Sequence, residues 1–191
     1  MIDSIIKFLQ SPPEDAGPIY NERSLQLELG YFFRREKLKV QFERPFHIGR
    51  PKGSTKQPKT YLDLFVAGQT ANMAVELKVP LNQRHPETLY DYCADLEFVE
   101  SLMRNGACEF GACLLVTDDP TFWRDSGRGS EIHNFFRRKG EVLTGVISKP
   151  TGARDSCVVL TGAYSPATGW CDLKSFTLMK NARYLLTEVH P

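Results

Sequence analysis

The spacing of apolar residues predicts two main helices. Within residues 22–37, four apolar side chains fall on one face of a helical wheel, namely Leu25, Leu29, Phe32 and Phe33. Asn21 stands directly before this segment and is a typical N-cap residue. Within residues 86–105, apolar residues again recur every three or four positions, and Gly106 marks the end of the pattern. We also expect a short helix near the N-terminus and another over residues 130–139.

Strand patterns occupy much of the remaining chain. Residues 110–117 read FGACLLVT, a nearly continuous apolar run that is typical of a strand buried on both faces. Two short apolar segments, 61–67 and 73–79, are joined by a polar turn around Gly68, which predicts a hairpin. Further strands are expected at 38–48, 141–148, 157–164, 170–173 and 183–189. These patterns indicate an α/β or α+β fold, with a central mixed sheet flanked by helices.

Composition restricts the class of protein. The 191 residues suit a single domain, and 41% apolar with 25% charged residues is ordinary for a globular chain. No apolar run reaches the length of about 18 residues that a membrane-spanning helix needs, and residues 1–10 lack the features of a signal peptide. The five cysteines form no C-x-x-C pair, so a zinc ribbon has no support. We therefore expect a cytoplasmic protein with no membrane partner.

Charged residues interrupt the two apolar strands of the predicted hairpin. Asp63 lies within YLDLFV, and Glu76 and Lys78 lie within MAVELKV. Because side chains two residues apart on a strand point to the same face, Glu76 and Lys78 should lie side by side, and pairing of the strands would bring Asp63 to them. Carboxylates of this kind suit Mg²⁺, and the backbone carbonyl of Leu77 could add a ligand. The alternative is a simple cross-strand ion pair on a solvated face, but the other residues of both strands are almost all apolar.

The residues Asp63 and Glu76-Leu77-Lys78 resemble the D…(D/E)-x-K signature of the PD-(D/E)xK, or restriction-endonuclease-like, nuclease superfamily. The predicted order of elements over about residues 20–118 resembles the αβββαβ core of those enzymes. About residues 130–191 match only as a C-terminal extension of the sheet within one domain, 1–191. One departure is Leu62, which stands where the signature has proline.

The resemblance implies a metal-dependent endonuclease that hydrolyses phosphodiester bonds, with DNA as the expected substrate. Asp63 and Glu76 would bind Mg²⁺, for which Mn²⁺ could substitute, and Lys78 would position the attacking water. Glu22, near the start of the first main helix, would assist, although its position also suits a simple interaction with the helix dipole. Since many members cut two strands as dimers, a homodimer is an open expectation.

Two other classes of function stay open. The chain could be a catalytically inactive nucleic-acid-binding or assembly module of the same fold. It could also be an interaction domain with no nucleic-acid role.

Several other residues have ordinary interpretations. Asp95 is expected to be a solvated charge on the second main helix, and Gln83 a loop residue, although either could contribute to the site. The segment Phe122-Trp123-Arg124 could stack on a base or anchor its loop. Cys93 lies on an apolar stripe, where packing is the expected role.

The formal net charge of +1 divides unevenly along the chain. Residues 34–59 hold nine basic and two acidic residues, whereas 84–119 hold two basic and eight acidic ones. Residues 120–154 are basic again, with seven against three. Five residues of the two basic segments are expected to contact phosphates: Lys52, Lys56, Lys59, Arg124 and Arg128. A solvated loop is the alternative for each of them.

Overall fold

The computed structural model describes residues 1–49, 51–81, 84–152, 155–173 and 178–190. The α-helices in these ranges are Ile2–Gln10 (α1), Glu22–Arg35 (α2), His85–Arg104 (α3) and Ile132–Arg137 (α4), and Pro120–Phe122 and Pro166–Thr168 are short 3-10 helices. The strands in these ranges are Lys39–Pro45 (β1), Tyr61–Ala67 (β2), Asn72–Lys78 (β3), Phe110–Thr117 (β4), Leu143–Ser148 (β5), Cys157–Tyr164 (β6), Trp170–Asp172 (β7) and Arg183–Val189 (β8). The predicted elements are therefore confirmed, with ends that differ by a few residues.

The central sheet is mixed, as predicted, and its described strands follow the order β1-β2-β3-β4-β8-β7. β3 and β4 are parallel, and the other neighbouring pairs are antiparallel. The predicted hairpin is present as the antiparallel pair β2–β3. β5 and β6 form a separate antiparallel pair. The α/β class with helices flanking a mixed sheet is thus confirmed.

Both faces of the sheet are covered. On one face, side chains of α1 and α2 share an apolar core with Leu64, Val75 and Leu77. On the other face, α3 packs over the sheet, and β5 and β6 pack beyond it. Because β2 and β3 are enclosed on both sides, any charged side chain on them must be paired or must bind a charged ligand.

The start of α2 is fixed by its predicted cap. The side chain of Asn21 accepts a hydrogen bond from the backbone N–H of Ser24 at 2.8 Å, and the Ser24 hydroxyl accepts one from the backbone N–H of Asn21 at 3.0 Å. This reciprocal capping box satisfies N–H groups that a helix terminus leaves free. It sets Glu22 as the first residue of the helix.

One edge of the sheet gathers the ends of several strands. The register joins Pro45 to Tyr61 and Thr117 to Arg183, and it sets Lys78 level with Leu115 near the end of β4. The carboxyl ends of the parallel strands β3 and β4 therefore lie at this edge, where α/β sheets commonly bind their ligands.

Acidic residues of α3 stabilise the second strand pair. Glu97 and Glu100 are 7% and 0% exposed. Glu97 accepts a hydrogen bond from the Val159 backbone N–H at 2.6 Å, and Glu100 accepts bonds from the backbone N–H groups of Thr161 and Gly162 at 2.9 and 2.8 Å. Two of the charges in the acidic segment 84–119 therefore satisfy donors along β6 that its partner strand does not use.

Among the described residues, no helix combines the length and the apolar character required to cross a bilayer.

Candidate active site

Three carboxylates from three different elements meet at this edge of the sheet. They are Asp63 of β2, Glu76 of β3 and Asp95 of α3, which we call the carboxylate cluster; all three are at most 6% exposed. Two ammonium groups, from Lys59 and Lys78, contact the cluster. The prediction that Asp63, Glu76 and Lys78 come together is thus matched by their positions.

Asp63 lies where β2 and β3 stop pairing. Their ladder ends at Leu64 and Val75, although both strands continue for several residues. The Asp63 carboxylate accepts a hydrogen bond from the backbone N–H of Leu77 at 2.7 Å, so a side chain replaces the missing ladder partner. Because the N–H and C=O of one strand residue point to the same side, the Leu77 carbonyl is directed toward this gap as well.

Glu76 is the most deeply buried member of the cluster. Its side chain has no exposed surface, and it forms an ion pair with Lys59 through Oε2. Its Oε1 atom is buried without a hydrogen-bond partner. Burial raises the pKa of Glu76 well above its usual value, and the negative charge of Asp95 raises it further.

Lys59 reaches the cluster from the end of the loop before β2, two residues before that strand begins. Its Nζ atom pairs with Glu76, lies 3.2 Å from Asp95 Oδ1, and is 4.0 Å from Asp63 Oδ1. Burial lowers the pKa of this ammonium, but the surrounding carboxylates outweigh that effect and raise it above the ordinary lysine value. Lys59 therefore stays charged, and it occupies the position in which a cation would meet all three acids. It was predicted to contact phosphate, and no such contact follows from this position.

Lys78 forms its ion pair with Asp95 of α3, not with Glu76 of its own strand. Its Nζ atom lies 3.0 Å from Asp95 Oδ2. Burial lowers the pKa of Lys78, but the Asp95 carboxylate more than offsets this, and the net shift is upward. The expectation that Asp95 is a solvated helix charge is wrong, because Asp95 is 4% exposed and pairs with both lysines.

Glu22 lies within electrostatic reach of the cluster. Burial raises its pKa, Lys78 lowers it, and the negative charges of Asp63 and Asp95 raise it again. Glu22 is also the first residue of α2, where a negative charge interacts favourably with the helix dipole, so this alternative is compatible with its place near the cluster. Glu22 therefore belongs to the surroundings of the site.

One feature of this cluster opposes the binding of a divalent cation, and two features favour it. Within the described ranges, no three His, Cys, Asp or Glu side chains form a ready-made metal site. The Lys59 ammonium contacts all three acids of the cluster and neutralises part of their charge. A buried carboxylate oxygen without a partner, such as Glu76 Oε1, is a position where a bound ion or water is expected. The donor set is all oxygen, which is the chemistry that Mg²⁺ prefers.

The other predicted phosphate contacts have different surroundings. Lys56 pairs with Asp91 at 2.6 Å and lies over the ring of Tyr90. Lys52, Arg124 and Arg128 are exposed. Lys56 is therefore close to the site, since it lines the same cavity as Lys59 and Lys78.

The segment Phe122-Trp123-Arg124 divides into two roles. Phe122 is 1% exposed and packs edge-on against His85, so it anchors the loop. Trp123 packs against Trp170 with a centroid distance of 5.6 Å, and the Arg183 guanidinium lies 5.3 Å from its ring. Arg124 lines a surface depression beside this group.

Two members of the site have roles that the sequence did not predict: Asp95 was expected to be a solvated charge, and Lys59 was expected to contact phosphate. The burial of Asp95 could have been predicted from its spacing. It lies three residues after Tyr92 and four before Val99, on the buried face of α3. The position of the Lys59 side chain could not be predicted from a periodic pattern, because Lys59 lies in a loop. Gln83, the other polar candidate, lies outside the described residues.

Comparison of the chain with protein-family models, with curated proteins and with solved structures found no match.

Proposed function

We propose that this protein is a metal-dependent nuclease that hydrolyses phosphodiester bonds, with DNA as the preferred substrate. The observation that carries the proposal is the carboxylate cluster at the carboxyl edge of the sheet, in which Glu76 Oε1 is buried and lacks a partner. Such an arrangement of acids has little value for stability, because replacing buried ion pairs by apolar residues is often neutral or favourable. Its chemistry suits a site that binds a cation.

The order of elements supports the same proposal. From α2 to β4 the chain runs helix, three strands, helix, strand, with Asp63 on the second strand and Glu76-Leu77-Lys78 on the third. This is the order implied by the resemblance to PD-(D/E)xK nucleases. We include a restriction-endonuclease-like core in the proposal for that reason.

Asp63, Glu76 and the Leu77 carbonyl would hold Mg²⁺ or Mn²⁺, and Asp95 would contribute negative charge behind them. When bound, the cation would offset the negative charge that develops on the phosphate during hydrolysis. Lys59 would have to leave the cluster for this, and phosphate groups of the substrate are a suitable alternative partner for its ammonium.

Lys78 and Glu22 have separate tasks in the proposed reaction. The oxygen of a water molecule bonds to phosphorus, one ester P–O bond breaks, the water loses a proton and the leaving oxygen gains one. Because the pKa of Lys78 is raised, it stays an ammonium that donates hydrogen bonds to the water or the phosphate and does not act as a base. Glu22, when ionised, can accept a hydrogen bond from the water.

A specific observation favours a second candidate, an inactive nucleic-acid-binding module of the same fold. Lys59 already neutralises part of the cluster through its pairs with Glu76 and Asp95. A site closed permanently in this way would bind nucleic acid through its basic loops without cutting it.

A cleavage panel separates the two candidates. The purified protein is incubated with end-labelled single-stranded, duplex and flap DNA and with RNA, in Mg²⁺, in Mn²⁺ and in EDTA. The nuclease proposal predicts products only with a divalent ion, and DNA cut faster than RNA. Salt-sensitive binding without products in either ion would support the inactive module, and neither binding nor cleavage would favour a role unrelated to nucleic acid.

A further inference from the structure

A cavity of about 270 Å³ opens directly beside the carboxylate cluster. It lies between the loop before β2 and the helix α3, and Lys59, Lys78 and Asp95 form the wall that it shares with the cluster. A ligand seated in it would therefore touch the same residues as the proposed scissile phosphate.

The roof of the cavity is built by hydrogen bonds within the protein. The Ser54 hydroxyl donates to Glu97 Oε2 of α3 at 3.2 Å, and both groups are buried. The backbone N–H groups of Thr55 and Lys56 donate to the carbonyl of Cys157 at 3.0 and 3.1 Å. The described residues 51–60 of this loop form no helix or strand, but these bonds fix their path, so the cavity is formed before any ligand arrives.

The walls combine an apolar surface with charged side chains of both signs. Ile48, Pro51, Pro58 and Phe98 supply the apolar part. Lys56, Lys59 and Lys78 supply three ammonium groups, and Asp91, Asp95 and Glu97 supply three carboxylates. Lys56 pairs with Asp91, and Lys59 and Lys78 both pair with Asp95. Phosphate oxygens can replace carboxylates as partners of these ammonium groups. A ligand with a flat apolar body and a phosphate group, such as a nucleotide, therefore matches the lining.

We propose that this cavity binds one unpaired nucleotide of the strand that is cut, next to the scissile phosphate. The inference rests on the proposed nuclease function and names its substrate class: single strands, flaps, overhangs and strand ends. The volume of about 270 Å³ lies just below the range of about 300–1,000 Å³ that is usual for ligand sites, so the cavity has room for one nucleotide unit at most and excludes a duplex. A paired base would have to be extruded first, at a cost of a few kcal/mol.

The first test needs no protein variant. Wild-type protein cuts a single-stranded oligonucleotide, and the nucleotide beside the preferred cleavage position is then replaced by an abasic site. Because stacking contributes about 1–3 kcal/mol per base, we expect cleavage to slow by about 10-fold or more, and an abasic site placed far from the cut to have no effect. Equal rates with the adjacent abasic site, or a duplex cut as fast as the single strand, would overturn the proposal.

The second test measures binding without cleavage. Gly49 lines the cavity; a Cβ atom there would meet no atom within 4 Å, and the residue does not require the left-handed conformation. Gly49→Trp therefore adds an indole at the cavity wall without a clash at Cβ, and we expect it to reduce the space open to a ligand. In calorimetry, wild-type protein should bind 2′-deoxyadenosine 5′-monophosphate more tightly than inorganic phosphate, and Gly49→Trp should lose that preference.

The control for this test is Val146→Trp, which enlarges a side chain that is 66% exposed on β5. It should bind the nucleotide as the wild type does. Equal binding of phosphate and nucleotide by the wild type would overturn the inference.

The two proposals can fail separately. Nucleotide binding by a protein that cuts nothing would support the nucleotide cavity and refute the nuclease. Cleavage at a rate that does not depend on abasic sites would support the nuclease and refute the nucleotide cavity. Should Gly49→Trp fail to fold, the abasic comparison still decides.

Discussion

The ammonium group of Lys59 forms an ion pair with the carboxylate of Glu76, whose side chain has no exposed surface. Lys59 also lies 3.2 Å from Asp95, so this one side chain supplies positive charge to two buried acids. In the proposed nuclease, a divalent cation takes over that role. Lys59 and the metal ion should therefore compete for the same carboxylates.

Replacing Lys59 tests whether its ammonium group and a divalent ion compete for the same carboxylates. In EDTA, Lys59→Ala should lower the free energy of unfolding by about 2 kcal/mol, less than for a fully buried pair because the lysine side chain is 32% exposed. In Mn²⁺ the variant should recover stability, and its melting temperature should rise more than that of the wild type. Denaturant and thermal unfolding with and without Mn²⁺ measure both effects.

Lys56→Ala is the matched control for Lys59. It removes a lysine from the same loop, but the partner of Lys56 is the half-exposed Asp91. The stability loss should be less than about 1 kcal/mol, with no additional response to Mn²⁺. A Lys59→Ala protein that gains no more from Mn²⁺ than the wild type would show that the cluster does not bind the ion.

Lys78 should act on the chemical step more than on binding. Lys78→Ala removes the ammonium that would orient water or offset charge on the phosphate, and kcat should fall by about 100- to 1,000-fold. KM should change little, because other basic residues contact the substrate. A rise in KM at unchanged kcat would instead assign Lys78 to uniform substrate binding. Steady-state cleavage of a labelled single strand measures both constants.

The exposed basic residues should contribute to the salt dependence of nucleic-acid binding. Lys52→Gln and Arg124→Gln should each reduce the slope of log K against log salt concentration by about 0.7 for a single strand, since each removes one phosphate contact. The control is Lys39→Gln, an exposed lysine at the other end of β1 from the site. Fluorescence anisotropy at several salt concentrations gives the slopes, and an equal reduction in the control would remove the assignment of Lys52 and Arg124.

The hydrogen bonds of Glu100 predict an effect on stability that does not depend on the proposed function. Its carboxylate accepts hydrogen bonds from two backbone N–H groups of β6 and from the hydroxyl of Tyr164. Glu100→Ala would leave these donors without their acceptor, and we expect a loss of about 3 kcal/mol in the free energy of unfolding. Glu109→Ala removes an exposed carboxylate that accepts one backbone bond, and it should cost about 1 kcal/mol. A smaller loss for Glu100→Ala than for Glu109→Ala would contradict this account of the α3–β6 contact.

The sequence was sufficient to predict the elements because each has a strong local pattern. The apolar run of β4 and the Asn21 cap of α2 depend on neighbouring residues only, and both are present as predicted. Asp63 and Glu76 were found because each interrupts an apolar strand, and an isolated charge between buried neighbours requires a partner.

The partners of those acids could not be predicted in the same way. Asp95 belongs to a helix with several acidic residues, some buried and some exposed, and only the tertiary contacts distinguish them. Lys59 arrives from a loop whose path depends on hydrogen bonds to Cys157, about 100 residues later in the chain. Long-range contacts of this type leave no periodic pattern in a sequence.

The most direct measurement of the central claim is the divalent-ion-dependent cleavage rate of Glu76→Gln. This substitution keeps the size of the side chain and removes the buried charge that would hold the ion. We predict a fall of at least about 100-fold in the rate with Mg²⁺ or Mn²⁺, while Glu109→Gln, an exposed glutamate outside the cluster, cuts at the wild-type rate. A Glu76→Gln protein that cuts as fast as the wild type would contradict the account, because the chemistry would then lie outside the carboxylate cluster.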